Sequence, residues 1–224
     1  SNINNWKIEF YSQTEDPFPG VDNENITGCL NFYDIEIREI SLKFENSKCE
    51  DAINFVRATG SIKKMTINNS AFDAMDADFS NIKFQNIYIN KSLNDCLDFS
   101  FGNYEIYNSE IHFCADKGIS VGEASNVKIK RVNISNSESG VVAKDFAKVD
   151  ISLSNIFKIK YCFQAYNKKI EFSGGQITSE KNKCNFDHKL ASVDISSKLT
   201  LNGKNFKETT WKNAFEGAGE YNGI

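Results

Sequence analysis

A step of 22 residues along this chain lands on one small residue after another: Ala52, Ala74, Cys96, Gly118, Gly140, Cys162 and Cys184. The next column reads Ile53, Met75, Leu97, Ile119, Val141 and Phe163, all large and apolar. Asn54, Asp76, Asp98, Ser120, Val142 and Gln164 follow, mostly polar, and then Phe55, Ala77, Phe99, Val121, Ala143 and Ala165. Columns that alternate outward and inward carry the period of two of a β-strand. A second apolar group recurs in each repeat, as in Ile62/Met65/Ile67, Phe84/Ile87/Ile89 and Ile129/Val132/Ile134. Helical-hairpin arrays need repeats of more than about 30 residues. Leucine-rich repeats have this length, but the chain lacks their leucine–asparagine pattern. The expectation is an all-β parallel β-helix over 27–205. A cap, or the tail of a preceding domain, occupies 1–26, and a second cap occupies 206–224, because terminal coils expose a core face.

The corners have their own signals. Asn81, Asn103 and Asn126 hold one turn position in three successive coils. Stacked side-chain amides can hydrogen-bond between coils, and Asn tolerates a left-handed backbone. From Leu97 to Asn103 is six positions, but from Ile119 to Asn126 is seven. The extra residue near Glu123 predicts either a bulge that re-aims side chains or simply a longer turn. At the ends, Trp6, Ile8, Phe10 and Tyr11 precede the turn-rich Asp16-Pro17-Phe18-Pro19-Gly20. Thr209 or Thr210 can cap a short helix carrying Trp211, Ala214 and Phe215, ended by Gly217 and Gly219.

The chain is 40% hydrophobic and 25% charged, apolar enough for a core. A net charge of −4 argues against a nucleic-acid groove. No apolar run of about 18 residues exists, so no helix is expected to insert in a membrane. The chain opens abruptly, and other domains of a longer parent are expected partners. Its six cysteines are spaced at close to one coil: Cys29 and Cys49, Cys96 and Cys114, Cys162 and Cys184. Neighbouring strands lie about 4.7–4.9 Å apart, inside the roughly 4.4–6.8 Å range of disulfide Cα separations. Three disulfides stapling adjacent coils are one reading, which implies a periplasmic or extracellular location. Reduced, buried cysteines filling small core positions are the other.

With this ladder, and with Glu50–Asp51–Ala52–Ile53–Asn54, Asp76–Ala77–Asp78–Phe79–Ser80 and Asp98–Phe99–Ser100 as repeat cores, the sequence resembles the right-handed parallel β-helix superfamily. Pectate lyases, polygalacturonases and bacterial β-helix repeat proteins belong to it. The resemblance covers about residues 27–180 and implies a right-handed coil and a polysaccharide partner. It brings no catalytic residue with it. The chain lacks the Gly-His-Gly and Arg-x-Lys of polygalacturonases, and Arg38, Arg57 and Arg131 fall outside the acidic columns.

Those columns are where chemistry is expected. Asp76 and Asp98 are one coil apart in one column. Asp76 and Asp78 share a strand face about 6.6 Å apart. Asp51, Asp73 and Asp95 precede the small column, with Lys117 next in line, and Lys144 extends the Asp78/Ser100/Gly122 column with Asp145 beside it. Crowded carboxylates raise one another's pKa. That supplies an acid and a base near neutral pH, as glycoside hydrolysis requires. Asp76, Asp98 and Asp78 are the expected acid/base group, with Lys117, Glu123, Lys144 and Asp145 as its wall. Lys117 or Lys144 can instead act as the base of a lyase, with Ca²⁺ or acids neutralising a uronate. No cofactor is required otherwise. Tyr104, Tyr107 and Tyr166 are candidates for stacking on sugars. The competing reading is structural: aspartates bonding local backbone amides, or a charge ladder bridged by the lysines. The expected function is an extracytoplasmic carbohydrate-active or polysaccharide-binding domain, a hydrolase or lyase using the Asp cluster, with a polysaccharide or oligosaccharide as partner. The alternative is a non-catalytic, rigid interaction module of a larger surface protein.

Overall fold

The structure, a computed structural model, describes residues 2–11 and 27–206 and the backbone of 219–222. The chain winds into a parallel β-solenoid of about eight coils, roughly 22 residues apart. Each coil adds a strand to each of three faces. The first face stacks Gly28–Tyr33, Asp51–Val56, Asp73–Asp78, Leu97–Ser100 and Lys117–Gly122. It continues through 139–144, 161–165 and 189–193, which are parts of longer strands that bend round a corner. The second face includes Asn81–Gln85, Lys148–Ser152, Gln176–Glu180 and Lys198–Leu201. Ile87–Ser92 and the segments in register with it form the third.

Register and burial follow the columns. Ile53, Met75, Leu97, Ile119, Val141 and Phe163 are successive cross-strand partners, and all are fully buried. Each such side chain contributes about 1.5–3 kcal/mol on leaving water, and no single coil could bury it alone.

A left-handed residue turns many of the corners. Asp34, Arg57, Phe79 and Phe101 do so between the first and second faces, with φ of 48°, 51°, 51° and 46°. Asn69 and Asn136 do so elsewhere, at the low cost Asn carries there. The extra residue near Glu123 lengthens the turn. Glu123 and Ala124 are both left-handed, at 40° and 57°, as are Asp145 and Phe146 one coil on. The asparagine ladder forms as expected: Asn103 Nδ2 donates to Asn81 Oδ1 at 2.7 Å, and Asn126 Nδ2 to Asn103 Oδ1 at 3.2 Å.

The three disulfides are Cys29–Cys49, Cys96–Cys114 and Cys162–Cys184, with Cα separations of 5.4, 5.4 and 6.4 Å. They mark a chain that matures in an oxidising environment. Their geometry corrects the expectation of staples between stacked neighbours. Cys184 does not sit in the small column; it pairs with Ile156 on the third face, while Phe163 pairs with Ala191. The coil of Cys162 is longer because residues 167–175 are inserted at its first corner. Each disulfide ties the first face to the far end of the same coil, closing that coil into a ring.

Asn2–Asn4 and Lys7–Tyr11 pair in parallel with 36–38 and 41–45, so the ladder extends below residue 27. Gly219–Asn222 runs antiparallel to 183–186, and Lys204–Asn205 antiparallel to Thr200–Leu201. The expected helix of Trp211, Ala214 and Phe215, and the Pro17/Pro19 turn, lie outside the described residues. No helix among the described residues is long and apolar enough to cross a membrane.

Candidate functional site

The outward positions of the first face bring the acidic columns together. Asp98 stands in register between Asp76 and Ser120, and Ser100 between Asp78 and Gly122. Asp51 partners Asp73, and Asn54 partners Asp76. Lysines close the row. Lys117 Nζ lies 3.3 Å from Asp95 Oδ1 and contacts the Asp116 carboxylate. Lys144 Nζ donates to Ser120 Oγ at 2.9 Å and lies 3.7 Å from Asp98 Oδ2. Glu123, only 5% exposed, accepts the Ser100 hydroxyl at 2.5 Å and pairs with Lys169 at 2.5 Å.

The carboxyl groups divide by what they hold. Asp73 Oδ1 accepts Asp95 N–H, and Asp95 Oδ1 accepts Lys117 N–H, both at 2.9 Å, so each caps the next coil. Asp145 Oδ1 accepts the amides of Lys168 and Lys169 at 2.7 and 2.8 Å. Asp145 therefore anchors segment 167–175, which carries Lys169 back to Glu123. Asp76 and Asp78 lie near enough to perturb each other, and Asp51 accepts from Thr27 and Asn54.

Burial, then mutual repulsion, disfavours the charged forms along this row. Loss of water and the neighbouring Asp95 push Asp73 up to about 7. Loss of water and Asp98 push Asp78 to about 6. Desolvation carries Asp51 to about 6 despite its hydrogen bonds, and Asp95 to about 6 despite Lys117. Asp76 is raised well above the ordinary carboxyl range by burial and by Asp78. Glu123 goes the other way: Lys169 and Ser100 outweigh its burial and hold it low. Burial works against the Lys117 ammonium, but Asp95 and Asp116 outweigh it and hold its pKa above the usual lysine value.

A feature of the site is not in the sequence columns. Phe79, Phe101 and Phe146 turn outward at the corner next to Asp78, Ser100 and Asp145, with 54%, 38% and 49% of their surface exposed. Phe79 and Phe101 stack at 4.6 Å between ring centroids. Phe172, from the inserted segment, packs on Phe101 and Phe146 at 6.2 and 5.9 Å. Bulky residues at φ of 46–64° are uncommon and cost backbone energy.

The expected sugar-stacking tyrosines fare differently. Tyr104 is 1% exposed and belongs to the core; its hydroxyl accepts from Ser80 N–H at 3.2 Å and donates to Ala77 O at 2.8 Å. Tyr107 lies under Lys83 on the second face. Tyr166 does border the site, in register with Lys144. His112 is bound to Ser135 and Glu110 on the third face, and His188 packs on Tyr161. Among the described residues, no three His, Cys, Asp or Glu side chains gather as a metal-binding group.

Fold and site together define a parallel β-solenoid with a half-buried row of carboxyl groups closed by lysines on one face. Comparison with protein-family models, with curated proteins and with solved structures gives no match.

Proposed function

We propose that the first face binds a polysaccharide and hydrolyses it, with Asp76, Asp78 and Asp98 as the acid/base group. The observation that carries this reading is the pair Asp76 and Asp98. They are register neighbours, yet burial favours a proton on Asp76 while Asp98 faces the Lys144 ammonium at 3.7 Å. One carboxyl group that can give a proton and one carboxylate beside a fixed cation are what glycosidic cleavage uses. In-register strands stand about 4.7–4.9 Å apart, closer to the roughly 5–5.5 Å of retaining pairs than to the wider inverting ones. In this reading Asp76, beside Asp78 on the same strand, protonates the leaving oxygen, and Asp98 attacks or stabilises the anomeric carbon. Lys144 orients Asp98. Glu123 and Asp145 hold segment 167–175 against the site, and Lys117 ties Asp95 to Asp116.

A lysine must be unprotonated to act as a lyase base, and the carboxylates around Lys117 keep it charged. That counts against Lys117 as the base of an elimination. The exposed phenylalanine ridge offers apolar surface to sugar rings, and the three disulfides support an extracytoplasmic location. A second reading, a non-catalytic module of a surface protein, draws support from Asp73, Asp95 and Asp145, whose oxygens bond backbone amides.

The test is a polysaccharide panel, with and without Ca²⁺, read for new reducing ends and for unsaturated-uronate absorbance. Cleavage by the parent chain and none by Asp76→Asn/Asp98→Asn supports hydrolysis at this pair. Absorbance of unsaturated products instead would place a lyase here. No cleavage by either folded protein would favour the binding module.

A further inference from the structure

We infer that the glycan held by this face carries free amino groups: a hexosamine polymer and not a uronic acid polymer. The inference rests on the polysaccharide reading above and names its substrate class. Three features converge on it.

The first is charge. Asp51, Asp73, Asp76, Asp78, Asp95 and Asp98 line three successive coils. The nearby cations are already engaged, Lys117 by Asp95 and Asp116, Lys144 by Asp98, and Lys169 by Glu123. A uronate would bring another negative charge to a face whose contacting lysines are already paired with carboxylates. An ammonium would meet a carboxylate on each coil, with charge-assisted hydrogen bonds.

The second is a shortage of donors. Asn54, 1% exposed, stands among these acids and shares its Nδ2 between Thr27 Oγ1 at 2.8 Å, Asp51 Oδ2 at 3.2 Å and Asp76 Oδ2 at 3.5 Å. Its own Oδ1 has no partner. Buried acceptors left without donors are costly. An ammonium group brings three donors and no acceptor, whereas a uronate carboxylate brings only acceptors.

The third is the ridge. Phe79, Phe101 and Phe146 expose aromatic carbon along the border of the acidic row. Pyranose rings have apolar faces that pack on such carbon, and a cation is drawn to the ring quadrupole. Phe79 and Phe101 stand one coil apart beside Asp78 and Ser100, so a linear polymer along the solenoid axis meets the acidic row and aromatic carbon together on these two coils.

The experiment is titration calorimetry with three hexasaccharides, of glucosamine, of N-acetylglucosamine and of galacturonic acid. The glucosamine oligomer is expected to bind at least about tenfold tighter than its acetylated form, a difference of roughly 1.4 kcal/mol. Its affinity should fall as salt rises, and the galacturonate should not bind. Phe79→Ala/Phe101→Ala changes only surface side chains and should weaken glucosamine binding about tenfold with an unchanged melting temperature. Equal affinity for the acetylated oligomer, tighter binding of galacturonate, or no binding of glucosamine would each overturn the inference. The two proposals fail separately. Cleavage of glycans with no preference for free amines overturns this inference and leaves hydrolysis standing. Glucosamine binding without any cleavage overturns hydrolysis and leaves this inference standing.

Discussion

The Lys144 side chain lies across Gly122, where a Cβ would come within 2.9 Å of its Cε, and from there the ammonium reaches Ser120 and Asp98. A glycine one coil away thus positions the only lysine facing Asp98 among the described ion pairs. The atom in the way is near the end of a flexible chain, so Gly122→Ala should fold normally. It should displace the ammonium and lower glycan cleavage by about tenfold or more, with a melting temperature within about 2 °C of wild type. Retained full cleavage in Gly122→Ala would show that Lys144 does not orient Asp98.

Stability should fall as pH rises from about 4 to about 7. Folded Asp51, Asp73, Asp78 and Asp95 keep their protons to about 6, 7, 6 and 6, against an ordinary 3.8 when unfolded. Between those limits the folded chain binds more protons than the unfolded one, so stability is full below the window and is lost as pH climbs through it. Melting temperature measured across that window should decline by several degrees. Asp73→Asn keeps an oxygen for the Asp95 amide and should flatten the decline. A melting temperature that rises instead would contradict the buried acidic row.

Each disulfide closes a ring within one coil, so its loss should act mainly on the unfolded chain. For Cys96 and Cys114, separated by 18 residues, the loop-closure estimate is about 3 kcal/mol. Cys96→Ala/Cys114→Ala should show that loss in chemical denaturation. A cost below about 1 kcal/mol would contradict a constraint of this size.

Tyr104 links two coils through its hydroxyl. Tyr104→Phe keeps the ring in the core but leaves the Ser80 amide and the Ala77 carbonyl without their partner. Leaving buried groups unpaired costs about 1–3 kcal/mol, which equilibrium unfolding would read directly. An unchanged stability would mean that these groups find other partners.

The coil and its register were legible because the small and apolar columns repeat at a fixed step, and strand alternation assigns each to one face. The acidic columns were legible for the same reason: Asp76 and Asp98 share a column in the chain and a register in space. The stepping fails after Cys162. Insertion of 167–175 shifts Phe163 onto Ala191 and sends Cys184 to another face, although the cysteine pairs themselves were correct. Alternation also misplaces Phe79, which would continue the inward series of Met75 and Ala77. A single left-handed residue turns it out, and nothing in its own identity signals that, because Asn or Gly would be the usual choice. The Lys144–Ser120 contact depends on how far a long side chain reaches across Gly122. A column records which residues stack, without recording that reach.

The account turns on a proton held by Asp76 beside Asp98. A carbon-13 NMR titration of the aspartate carboxyl groups, assigned with Asp76→Asn, measures it directly. The account predicts that the Asp76 signal titrates well above the ordinary 3.8, raised by burial and by Asp78. An Asp76 signal that titrates near that ordinary value would contradict it, because the group would then have no proton to give to a leaving sugar.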